Sequence, residues 1–116
     1  VATYIRWYYA EEDLWCYDEL DEDRHSVRHV ERRDRDGAFF AAASLAEVVH
    51  ARDTGGFEAV VAYERAYGVS PEQPFDYFAP DDAVECRFGP IAEQDFERIW
   101  RKARQARRRN GGPHPR

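Results

Sequence analysis

Methionine is missing from this chain altogether, lysine occurs once, at Lys102, and cysteine only twice, at Cys16 and Cys86. Two cysteines are too few to imply a disulfide framework. No apolar run approaches the ~18 residues that a membrane-spanning helix requires, and the opening residues have no signal-peptide pattern. These absences predict a soluble, cytoplasmic protein with no membrane partner. There is no phosphate-cradling glycine loop, no Gly-x-Ser-x-Gly elbow and no His-Glu-x-x-His pair, which removes the common nucleotide-binding, serine-hydrolase and zinc-protease templates. Nothing in the pattern asks for a cofactor.

What is present is a globular composition. Hydrophobic residues make up 43%, aromatics 15% and charged residues 34% of 116 residues. A chain of this size buries roughly 65% of its unfolded surface, enough for one core. A single domain is expected over residues 1–109, with 110–116 as a disordered tail. The basic residues are almost all arginine, a bias that suits a GC-rich genome. The formal charge of −6 is unevenly spread. Residues 1–54 carry 13 acids and 7 bases, residues 55–96 carry 9 and 2, and residues 97–116 carry 1 and 8. The result is an acidic body with a basic end.

The hydrophobic period changes along the chain. Residues 3–9, 14–20, 26–34 and 39–43 are β-branched, aromatic or alternating, with polar turns between them and Asp36-Gly37 as a hairpin dipeptide of the type I′ kind. They predict an antiparallel meander of four strands, five if Val84–Phe88 joins it. Ser44 and Glu47 have capping-box spacing ahead of a short helix over 45–52. Thr54-Gly-Gly breaks it, and Phe57, Val60, Val61 and Tyr67 set a second helical stretch that ends at Gly68. Prolines at 71, 74 and 80 with Phe75, Tyr77 and Phe78 mark an ordered loop over 69–83. Pro90 is placed to open a final helix with Phe96, Ile99, Trp100 and Ala103 on one stripe. The fold class is therefore α+β: an antiparallel meander with helices, including a C-terminal one, packed on one face.

Five stretches together resemble a known family. They are Tyr4-Ile-Arg, Trp15 through Asp23, Val27 through Glu31, Arg35-Asp-Gly, and Ile91 through Trp100. The pattern is similar to the bacterial domain of unknown function 6881 family, over about residues 3–43 and 90–103. The resemblance implies a small α+β domain and no activity. Residues 44–89 depart from it, being longer and more aromatic, and are where a function particular to this chain would lie.

A register that pairs Tyr17 with His29, and Glu31 with Ala42, divides the sheet into two faces. Leu14, Cys16, Leu20, Val30, Ala41 and Ala43 form a small apolar face suited to the C-terminal helix. Trp15, Tyr17, Glu19, His29, Glu31, Phe40 and Ala42 form the other, an aromatic and ionisable face left open. Two functions follow. The first is an acidic protein-binding module that uses this open aromatic and acidic face, an immunity-type or regulatory partner for a basic protein, since eight Asp and Glu residues lie between Glu11 and Asp23 and complementary charge speeds association. The second is a cofactor-independent small-molecule enzyme or binding protein, with Trp7, Tyr9, Trp15, Glu31, Phe40 and Tyr77 around an aromatic pocket. In that reading His29 and Glu19 are the acid/base pair, Tyr17 is a hydrogen-bond donor, and the 69–83 loop is a lid. A homodimer that buries the open face is a third way to account for the aromatics.

Other chemistries have weaker support. His25 and His29 lie about 13 Å apart along a strand, too far to share a metal, and Asp34-Arg-Asp36-Gly37 is only a fragment of a calcium loop. Cys16 falls on the core-like face, where a thiol is inert. Arg98 to Arg109 holds seven Arg and Lys in twelve residues, but the acidic body would repel the phosphates of a nucleic acid.

Overall fold

A computed structural model of the chain describes residues 2–72, 74, 75 and 87–111, with side chains described as far as 108. It holds a five-stranded antiparallel sheet, ordered β4-β3-β2-β1-β5, and two helices. The strands are β1 (Thr3–Tyr9), β2 (Leu14–Leu20), β3 (Ser26–Arg33), β4 (Phe39–Ser44) and β5 (Gly89–Pro90). The helices are α1 (Leu45–Tyr67) and α2 (Glu93–Gly111). No helix among the described residues is long and apolar enough to cross a membrane. The first four strands follow their predicted ranges because each is a short β-favouring run closed by a polar turn. Asp13 (φ 59°) closes the 3-10 turn Ala10–Glu12 after β1, and Asp21 caps the next turn by accepting the N–H groups of Asp23 and His25, each at 2.9 Å.

Three sequence expectations are corrected and one boundary is moved. The turn between β3 and β4 is not a two-residue type I′ loop. Arg33 donates its N–H to the Ala38 carbonyl, and Gly37 (φ 74°) donates to the Arg33 carbonyl, so residues 34–37 all bridge the strands. Helix α1 is broken by a kink within the expected Thr54-Gly-Gly, at Gly56 (φ 69°, ψ −156°), where only glycine is unstrained, and its first part extends past the expected end at 52 to Gly55. Among the described residues the last strand lies at Gly89–Pro90, pairing with Ile5 and Arg6; of the expected 84–88, Arg87 and Phe88 are not in a strand and 84–86 lie outside the described residues. Pro90 belongs to this edge strand, where a missing N–H is tolerated, and α2 starts only at Glu93.

The capping box is also interrupted. Ser44 is the N-cap of α1 but its hydroxyl makes no capping bond. Its backbone N–H, which Glu47 was expected to reach, donates instead to the Tyr63 hydroxyl at 2.9 Å, and that hydroxyl donates to Glu47. Glu47 turns to Arg104. Arg104, nearly buried, also donates to the Ala42 carbonyl at 2.7 Å and stacks on Tyr67 and Trp100, with its guanidinium carbon 4.1 and 4.5 Å from the ring centres. Part of the basic end of the chain is thus an internal clamp joining α2, α1 and β4. Arg107 adds to it by donating to the carbonyls of Ala66 and Arg65.

The register of β3 decides the faces. Beside the turn Leu20 pairs with Ser26, as expected, but the next pair is Glu19 with Arg28. Val27 is an extra residue on β3, a one-residue bulge. Beyond it Tyr17 pairs with Val30 and Asp18 with His29. A second bulge inserts Phe40 between the Arg32–Phe39 and Glu31–Ala41 pairs. Relative to the predicted register, β3 changes sides from Arg28 onward, and Phe39 before the second bulge joins the side of Tyr17 and Ala42.

Helix α2 therefore packs on the aromatic face. Tyr17, Val30 and Ala42 form a buried cluster with Phe96 and Ala103, and Tyr4, Trp15, Phe39, Ile91, Ile99 and Trp100 pack around it. The opposite face presents Trp7, Tyr9, Cys16, Asp18, His29 and Glu31. Its cover is the segment after α1. Gly68 (φ 85°) crosses β4 so closely that an added Cβ would lie 2.6 Å from the Ala41 Cβ, and the chain then runs to Phe75, whose N–H donates to the Arg24 carbonyl at 2.8 Å.

Candidate functional site

Alternation along β1 and β2 places Trp7 opposite Cys16 and Tyr9 opposite Leu14, on the face away from α2. With Asp18, His29 and Glu31 they form a floor, and Val69, Ser70, Pro71, Pro74 and Phe75 rise beside it. Together these residues, apart from Leu14 and Asp18, line an open cleft of about 420 Å³. Val69, Ser70 and Pro71 also border a second cavity of about 240 Å³, lined further by His25, Ser26, Leu45, Val48, Glu64 and Glu72. The larger cleft is where the chemistry converges. Trp7 stands between two other rings, 6.3 Å from Tyr9 with their planes 54° apart and 6.0 Å from Phe75 with their planes 59° apart. The rings are tilted, as the walls of a box are, and not stacked.

Below the rings is a buried charge relay. Asp18 is 0% exposed and His29 2%. His29 Nδ1 lies 2.6 Å from Asp18 Oδ1, and its Nε2 lies 2.9 Å from Glu31 Oε2. Asp18 also accepts the Ser26 hydroxyl at 2.7 Å and the Trp7 indole N–H at 3.0 Å. Burial by itself would lower the His29 pKa, but the charge of Asp18 and the hydrogen bonds to Asp18 and Glu31 outweigh it and raise the pKa from 6.5 to about 9. With a carboxylate at each ring nitrogen, only the imidazolium donates to both. His29 is therefore a cation at neutral pH, held between two anions. Glu31 remains 28% exposed and faces the cleft. The Cys16 thiol on the floor is pushed up by burial first, then by the negative charges of Glu31, Asp18 and Glu12, and so stays protonated.

Of the residues singled out from sequence, the structure brings Trp7, Tyr9, His29 and Glu31 together. It does not assemble His29 with Glu19 and Tyr17. Tyr17 is buried under α2, and Glu19 on the same face binds Arg28, which also binds Glu97 and lies over the rings of Phe96 and Trp100. Trp15 is on the α2 side as well, donating to Asp34 at 3.2 Å with Arg6 over its ring. Phe40, 38% exposed, sits under Arg33 outside the cleft. Tyr77 lies outside the described residues. The loop expected to act as a lid contributes a wall through Val69 to Pro71, Pro74 and Phe75.

Asp18, Ser26 and Ser70 were not named as site residues, and Phe75 only as an anchor of the 69–83 loop. Asp18 had a visible signal: it lies between Cys16 and Leu20 on one side of a strand, and a carboxylate flanked by apolar neighbours needs a buried cation. Ser70 Oγ is buried without a hydrogen-bond partner among the described residues. No three His, Cys, Asp or Glu side chains among the described residues are arranged to hold a metal ion. Comparison with family models, curated proteins and solved structures returns no significant match.

Proposed function

We propose that the domain binds a small organic molecule in the cleft between the β1–β3 face and the wall of Val69, Ser70, Pro71, Pro74 and Phe75. The observation that carries this reading is the concavity itself: a cleft of about 420 Å³ with three tilted rings, two prolines and one partly exposed carboxylate. Ligand sites are concave and mostly apolar, with few fixed polar groups. The relay beneath holds the floor in place. Trp7, Asp18, Ser26, His29 and Glu31 are joined by successive hydrogen bonds, so the Trp7 ring and the Glu31 carboxylate are pre-positioned. The reading is one of binding. His29 holds its proton at neutral pH and has both nitrogens engaged, so no base role is assigned to it. The other reading, docking of a basic protein on the acidic run from Glu11 to Asp23, has less to draw on. Asp13, Asp18, Glu19 and Asp21 of that run are engaged within the domain.

The three tryptophans provide the test. Trp7 is in the cleft, Trp15 beside Asp34, and Trp100 on the sheet-facing side of α2. A panel of neutral aromatic fragments, titrated against ¹⁵N-labelled protein, is expected to shift the Trp7 indole resonance and leave those of Trp15 and Trp100 in place. Trp15→Phe and Trp100→Phe provide the assignments. Shifts confined to Trp100, or none at Trp7, refute the reading.

A further inference from the structure

We propose that the ligand of this cleft is an organic cation, an alkylated ammonium carried on a small neutral body; the inference rests on the ligand-binding reading above. Three observations converge on it. The first is the ring arrangement. Trp7, with Tyr9 and Phe75 tilted 54° and 59° to it, offers a cation more than one π face, and such boxes recognise quaternary ammonium groups. Arg24 spends its guanidinium on the Phe75 carbonyl, which helps hold that wall.

The second is charge. Glu31 and His29 are the charged residues lining the cleft. The imidazolium is enclosed between two carboxylates and 2% exposed, whereas Glu31 is 28% exposed and meets His29 through Oε2. Two carboxylates against one cation leave the floor negative. An anionic ligand would meet Glu31 and a buried Asp18, and no arginine or lysine is among the residues that line the cleft to offset them.

The third is hydrogen-bonding capacity. A primary ammonium carries three donors that must each find an acceptor on leaving water. The walls are rings, prolines, a valine and one serine, so Glu31 and the Ser70 hydroxyl are the few acceptors on hand and do not replace that hydration shell. An alkylated ammonium has little or none to replace and makes contact through its methyl groups. The buried Ser70 hydroxyl, without a partner among the described residues, then remains for one polar group on the body of the ligand.

The experiment compares choline with 3,3-dimethylbutan-1-ol, its uncharged isostere, read at the Trp7 indole resonance. Choline is expected to bind about tenfold more tightly. Glu31→Gln is expected to abolish most of that preference while leaving the affinity for the neutral isostere little changed. Should Glu31→Gln fail to fold, Tyr9→Leu at the exposed rim keeps the test open, with a several-fold loss of choline binding expected while the Trp15 resonance stays in place. Equal binding of the two probes, or a preference for the alcohol, overturns the cation inference and leaves the cleft as a ligand site. Binding of the neutral aromatic fragments but of neither probe does the same. Failure of every probe to shift Trp7 overturns both readings.

Discussion

His29→Gln keeps a polar side chain between Asp18 and Glu31 but removes the titratable cation, so comparing the two proteins across pH isolates what that cation contributes. The folded-state pKa, about 9, lies above the ordinary value of 6.5. The folded state therefore holds this proton more tightly than the unfolded chain. The stabilisation is fully present below about pH 6.5 and is lost as pH rises through 9. At 1.36 kcal/mol per pKa unit the gap corresponds to about 3 kcal/mol. For a group 2% exposed, solvent screening removes little of that. Urea unfolding of both proteins between about pH 6 and about pH 10 measures it. Subtracting the variant curve from the wild-type curve cancels the titration of exposed groups common to both. The difference is expected to be largest at pH 6, to fall by about 3 kcal/mol, and to level off above pH 9. A flat difference, or one that grows with pH, refutes the buried imidazolium. So does a His29 ring resonance that titrates near 6.5.

Other substitutions test the packing around the site. Gly68→Ala should be more damaging than Gly56→Ala. Both have positive φ, but a Cβ at 68 meets the Ala41 Cα at 2.9 Å and the Phe40 carbonyl at 3.0 Å, whereas one at 56 meets nothing within 4 Å. Backbone strain alone costs about 1–3 kcal/mol, and thermal unfolding should show Gly68→Ala losing more than that. Arg104→Leu removes hydrogen bonds to Ala42, Glu47 and Tyr63 along with two ring contacts, and should lower stability by about 2–4 kcal/mol in urea. Ser44→Ala should cost well under the ~1 kcal/mol of a working N-cap, because the Ser44 hydroxyl makes no capping bond. A loss of about 1 kcal/mol or more in the same assay would show that the hydroxyl caps α1 after all.

The strands were legible in the sequence because each is a local event: a β-favouring run ended by Asp, Gly or a charged turn. The α2 stripe of Phe96, Ile99 and Trp100 was legible for the same reason, since three- and four-residue spacing is set by the helix itself. Alternation within one strand was equally secure, and Trp7 stands with Tyr9, and Cys16 with Leu14, as period two requires. Asp18 belonged to that list, and its burial could have been inferred from Cys16 and Leu20 on either side.

Alignment between strands was another matter. A bulge adds one residue without changing the hydrophobic pattern on either side of it, so nothing local marks Val27 or Phe40 as the extra residue. That single offset turns β3 over, moving His29 and Glu31 from Tyr17 and Glu19 to Cys16 and Asp18. The same holds for Glu47, whose spacing from Ser44 matches a capping box until Tyr63, 19 residues after Ser44, inserts its hydroxyl. The segment after Gly68 showed its prolines and Phe75 but not the face it would cover. The sequence by itself determined the elements and the residue types available for a site. The tertiary structure decided which of them share a face, because register, the path of a loop and the choice between two carboxylates for one histidine depend on contacts far apart in the chain.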